Sequence, residues 1–138
     1  MTSSFQDALV EVLAKEFTGE YREDFAAATA SWSDAKIAAY VESLVSAHFG
    51  VQPSRPLFAE KSVGVVFGIE LINSHSVVLK LFAPSLTLAQ LNGVIRCLQH
   101  LERAHFPATP AVSMPFSTSF GQLGCFFSYA SAHLSREW

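Results

Sequence analysis

The sequence predicts an α+β domain: a five-stranded antiparallel sheet, two or three helices ahead of it, and one long helix between its third and fourth strands. Three observations carry that expectation. Apolar residues recur at helical spacing up to residue 50 and again from 88 to 101, and they follow strand-like runs between 57 and 82. Gly and Pro mark the places where the period changes. Half of the 138 residues are apolar and only 15% are charged, which suits one packed domain over 1–138 rather than a disordered chain. Within that domain a helical segment, 1–50, is expected to pack on or beside a sheet-and-helix unit, 55–131.

Ser3 or Ser4 caps the first helix, and Phe5, Leu9, Val12, Leu13 and Phe17 fall on one face of it. Gly19 reads as its stop, and Tyr21 to Ala30 as a short second helix. Ser31 or Ser33 opens a third, whose apolar stripe is Ile37, Val41, Leu44, Val45, His48 and Phe49. Gly50 ends it, and Pro53 and Pro56 mark a loop.

Strands follow. Leu57 to Glu60 is a short candidate. Val65 to Ile72 and Val77 to Phe82 are longer and form a hairpin around Asn73, Ser74 and His75. Pro84 breaks the second of these. Ser85 or Thr87 then caps the long helix, with Leu88, Leu91, Ile95, Leu98 and Leu101 as its buried face and Arg103 and His105 at its carboxyl end. Ala111 to Thr118 and Leu123 to Tyr129 are the last two strands, with Gly121 in their turn.

Charge and motif content remove several function classes. Nine Lys and Arg are scattered through a chain of net charge −3, so the clustered cations of a nucleic-acid surface are missing. No run approaches the ~18 apolar residues of a membrane span. The first 17 residues have no basic start and carry Asp7, Glu11 and Glu16, unlike a signal peptide. A cytoplasmic protein is expected. Cys97 and Cys125 lack metal-type spacing and are expected to be packed, reduced thiols. His100 and His105 stand five apart, off a common helix face, so no metal site is expected. No convergent set of acid, base and nucleophile is found, and no catalytic residue is assigned.

The carboxyl-terminal third stands out. No Asp, Glu, Lys or Arg occurs from 104 to 135, while Phe116, Phe120, Phe126, Phe127 and Tyr129 crowd one stretch. Either the sheet is covered on both faces, or one face meets a partner. In the second case Phe116, Phe120, Phe126 and Phe127 form a surface for a protein partner or for self-association.

A family resemblance enters at the third strand. Val77-Val78-Leu79-Lys80-Leu81-Phe82 is an apolar run with one Lys. Leu98-Gln99-His100-Leu101-Glu102-Arg103-Ala104-His105-Phe106-Pro107-Ala108-Thr109-Pro110 is a Leu-containing helix end followed by a Pro segment. Gly124-Cys125-Phe126-Phe127-Ser128-Tyr129-Ala130 is similar to an approach to a nucleotide-binding hinge. Over about residues 40 to 131 this order resembles the amino-terminal lobe of the aminoglycoside and choline phosphotransferases, a protein-kinase-like family.

The resemblance implies ATP as ligand. Lys80 would hold the phosphates, the turn at Ser62, Val63 and Gly64 would lie over them, and backbone groups near Tyr129 and Ala130 would meet adenine. The chain departs from the family in having no GxGxxG, and Val94 stands where a Glu partner for the Lys is usual. Phosphoryl transfer also needs carboxylates from a second lobe. No Asp follows Asp34 and eight residues follow Ala130, so the chain alone is not expected to be a complete kinase. The alternative is a small acidic homodimeric chaperone of the secretion type, with the same order of helix, three strands, helix and two strands.

Overall fold

The computed structural model describes residues 3–61, 65–82, 87–103, 111–119 and 122–128; within these, nothing is said of the side chains of Asp24, Ala28, Lys61, Leu98, Leu101 and Glu102. The described residues form nine elements: α1 (Ser4–Glu16), α2 (Gly19–Ala28), α3 (Asp34–Phe49), β1 (Pro53–Lys61), β2 (Val65–Leu71), β3 (Ser76–Leu81), α4 (Leu88–Arg103), β4 (Phe116–Ser117) and β5 (Leu123–Ser128). The sheet is antiparallel throughout, in the order β1-β2-β3-β5-β4. The α+β class and the five strands are as the sequence predicts.

Local chemistry sets the helices. Ser3 caps α1, its Oγ accepting from Gln6 N at 3.1 Å while also donating to Glu42 on α3. Gln6 Nε2 donates to the same carboxylate at 2.8 Å, so the start of α1 is tied to α3. Ser33 caps α3, and Gly50 closes it in the left-handed region at φ 70°. Gly19 opens α2 instead of stopping α1, which ends at Glu16. Thr87 and Gln90 cap the start of α4 reciprocally, each backbone N–H donating to the other's side chain, at 2.9 and 3.1 Å.

One interior lies between α1, α2, α3 and one face of the sheet. Phe5, Leu9 and Leu13 of α1, Phe25 of α2, and Ile37, Val41 and Val45 of α3 meet Phe67, Leu79 and Phe126 there, all buried. Phe17 stacks on Phe25 with centroids 4.1 Å apart. Arg22 holds the helices in place, pairing with Asp34 at 2.8 Å and donating to the carbonyls of Phe17 and Leu13 at 2.8 and 3.0 Å. A second, smaller cluster lies on the opposite face, where Leu91 and Ile95 of α4 pack on Val78, Cys125 and Phe127.

Two strands differ from expectation in their bounds, each for a physical reason, and one helix residue differs in its exposure. β1 begins at Pro53, so both prolines read as loop are in a strand. Among the described residues the strand is a sheet edge, paired with β2, and its register shifts between Pro53 and Arg55 and between Pro56 and Phe58. The fourth strand shrinks from eight expected residues to Phe116–Ser117, plus an isolated bridge from Ala111 to Phe127. Between them Ser113 Oγ takes the N–H of Phe126 at 2.9 Å, a side chain replacing a backbone partner. Leu88, expected in the buried face of α4, is 51% exposed, whereas Leu91 and Ile95 are buried.

Candidate functional site

The register of the strands defines the α4-facing surface as rows of residues. One row runs Glu60–Val66–Lys80–Cys125, and beside it runs Phe58–Gly68–Val78–Phe127. Residues directly opposite one another in an antiparallel sheet project to the same side. Lys80 therefore shares its face with Val78, Phe82 and Phe127, while Val77, Leu79 and Leu81 point into the α1–α3 interior, the alternation expected from the sequence.

Lys80 is only partly covered. Its Nζ lies 4.7 Å from the centroid of the Phe127 ring, a cation–π distance. Burial lowers the pKa of its ammonium, an effect that Cys125 across the strand partly offsets. Burial pushes the Cys125 thiol up, against smaller opposing effects from the Ser113 hydrogen bond and from Lys80. The Cys125 Sγ donates to Ser113 O at 3.4 Å. Cys97 and Cys125 are both free thiols, the first exposed and the second buried. The chemistry at this point of the sheet is that of a partly desolvated cation over one aromatic ring.

Other residues singled out in the sequence fall elsewhere. Ser62, Gly64, Tyr129 and Ala130, assigned to a nucleotide, lie outside the described residues, as does Phe120 of the partner set. Val94, at the position of the family's Glu, is 46% exposed on α4. The aromatic residues assigned to a partner surface need correction. Phe126 and Phe127 are each 1% exposed, on opposite sides of the sheet, and Phe116 is partly buried against Phe126 with centroids 5.7 Å apart. The pair Phe126 and Phe127 is thus core packing, because β5 is an interior strand covered on both faces.

Gly68 and Phe58 were missed from sequence. Three atoms of the Phe58 ring edge, Cδ1, Cε1 and Cζ, stand 2.3–2.8 Å from where a Cβ on Gly68 would sit. The ring fills the space a side chain at 68 would need. A glycine inside a strong strand pattern is the signal that points to such an approach.

On the other side the sheet borders a groove of about 270 Å³, lined by Phe49, Leu71, Asn73, His75, Val77 and Ser128 among others. Leu71 and Val77 belong to the α1–α3 side, so this groove is separate from Lys80. Nearby His48 stacks on Phe126 at 5.1 Å. Among the described residues no cluster of three His, Cys, Asp or Glu is placed to hold a metal, and no helix is long and apolar enough to cross a membrane. Comparison with protein-family models, with curated proteins and with solved structures finds no match to this chain.

Proposed function

We propose that the chain is a phosphotransferase-type amino-terminal lobe and that Lys80 contacts the phosphates of a nucleotide such as ATP on the α4-facing side of the sheet. The observation that carries this reading is the place of Lys80: next to the last residue of β3, half-covered, above Phe127 and on the face where Leu91 and Ile95 of α4 pack. A rigid strand holds the ammonium, and its partial desolvation strengthens its attraction for an anion. The strand order and the position of α4 in the chain agree with such a lobe. No Asp follows Asp34, so within these residues the lobe supplies phosphate contact and not the carboxylates that orient a hydroxyl or hold Mg²⁺. Transfer would require those groups from a second lobe.

Calorimetry with millimolar Mg·ATP tests the reading. Binding is expected in the wild type, lost in Lys80→Ala and retained in Lys36→Ala, whose ammonium lies over Trp32 instead. No heat and no thermal shift with the wild type would remove nucleotide contact as a function.

A second reading, the homodimeric chaperone-like module, is favoured by Met114 and Val112, which are 79% and 43% exposed within the charge-free carboxyl-terminal third. It expects a dimer whose formation Met114→Lys weakens. A strictly monomeric wild type in light scattering at high protein concentration would exclude it.

A further inference from the structure

We propose that the groove at the carboxyl end of α3 binds small uncharged molecules, of the class of a single ring carrying a hydroxyl or carbonyl group. The groove lies on the α1–α3 side of the sheet, away from Lys80, so it stands independently of nucleotide contact. Its apolar lining comes from several elements. Phe49 ends α3, Val51 follows it, Leu71 and Val77 belong to β2 and β3, and Val112 precedes β4. A space of about 150 Å³ takes up a benzene ring. At about 270 Å³ this groove has room for a ring and a short substituent. Val112 is fixed in place: its N–H donates to Phe126 O at 2.9 Å, and His48 Nε2 lies 3.4 Å from its carbonyl oxygen. A wall held before the ligand arrives lowers the ordering cost of binding.

The polar lining comes from the hairpin end of the sheet. Asn73 and His75 belong to the β2–β3 turn, Ser76 opens β3, and Ser128 of β5 stands opposite Val77 and so projects to the same side. Asn73 Oδ1 already accepts from His75 N at 3.2 Å, so the amide has its N–H groups left to offer. The serine hydroxyls both donate and accept. These groups match a hydroxyl or a carbonyl, but they do not compensate a charge, because no Asp, Glu, Lys or Arg lines the groove. A carboxylate entering it would lose water without gaining a cation, and would meet the partial negative charge at the end of α3. An ammonium would find that helix end favourable but no carboxylate to pair with. The expected order of affinity is therefore uncharged, then ammonium, then carboxylate.

The test titrates benzyl alcohol, benzylamine and benzoate into the full chain at pH 8 and follows the methyl resonances of Val51, Leu71, Val77 and Val112. Benzyl alcohol should shift these methyls with a dissociation constant on the order of 1 mM, and about tenfold more tightly than benzoate. Val112→Lys adds a cation to the wall at a position 43% exposed, where folding tolerates it. It should lower the ratio of benzyl alcohol to benzoate affinity by about threefold. Val94→Lys makes the same change on α4, across the sheet, and should leave the ratio as in wild type. No shift of the groove methyls with any probe overturns the site. Benzoate or benzylamine binding as tightly as benzyl alcohol overturns the preference for uncharged ligands. A ratio that Val112→Lys leaves unchanged, or that Val94→Lys lowers equally, places the probe elsewhere and overturns the assignment. Affinity for benzyl alcohol that falls as protein concentration rises gives the groove to a second copy of the chain, and overturns it as a small-molecule site.

Discussion

On the α1–α3 side of the sheet, Phe67, Ile69, Leu79 and Leu81 are sealed at 1% exposure or less, with three helices above them. On the other side, the alternate positions of the same two strands carry Val66, Gly68, Val78 and Lys80, and α4 covers them only in part. Two strands thus serve two purposes by their period of two. One side supplies most of the large buried apolar surface, and the other tolerates a cation and a glycine. The difference teaches that the cost of a half-buried ammonium is carried by a core that lies on the far side of the same strands.

The largest expected effect tests the sealed side. Phe126→Ala removes a ring 1% exposed and in contact with His48, Phe49 and Phe116, and should cost about 3–5 kcal/mol in urea unfolding. A cost below about 1 kcal/mol would mean that this side does not hold the fold together.

A smaller effect sharpens the view of the open side. The lowered pKa of Lys80 means that the unfolded chain, whose lysine titrates near ~10.4, holds its proton to higher pH than the folded protein does. Stability from this group is therefore reduced at neutral pH and recovers as pH rises through the lowered pKa towards ~10.4. Lys80→Met should be more stable than wild type at pH 7, and its advantage should shrink with rising pH. Cys125 adds to the same trend. Lys80 holds its raised pKa down, so in the variant the thiol resists ionisation further and alkaline pH costs more stability. Parallel stability–pH curves for the two proteins would contradict the burial of Lys80.

The smallest effect concerns α4. Gly93 faces open space, its nearest neighbour being Arg96 Nη2 at 4.0 Å, so Gly93→Ala should stabilise the protein by about 0.5–1 kcal/mol in the same unfolding assay. A loss of stability would show that α4 sits closer to the sheet at this point than its contacts indicate.

Much of the fold was legible because its signals are local. The stripe Phe5, Leu9, Leu13 specified α1, a cap at Ser31 or Ser33 (Ser33 in the structure) and the stop at Gly50 bounded α3, and Asn73–His75 marked the hairpin turn. The alternation around Lys80 also gave its face correctly. What stayed hidden depends on position in the sheet. Pro53 and Pro56 are strand breakers anywhere but at an edge, and nothing near them in sequence says that β1 is one. Phe126 and Phe127 read as a sticky surface because the elements that cover them, the amino-terminal helices on one side and α4 on the other, are remote from β5 in sequence. The seat of Phe58 over Gly68 requires β1–β2 register, which a bulge beside Phe58 shifts.

The prolines of β1 have one more consequence. They remove two backbone N–H groups from one rim of the sheet, so an incoming chain finds an incomplete ladder along nine residues there. Among the described residues the opposite rim, β4, offers two. Growth by edge-to-edge addition, the route by which β-rich proteins form ribbons and fibres, is thus discouraged at one end by missing donors and at the other by lack of length.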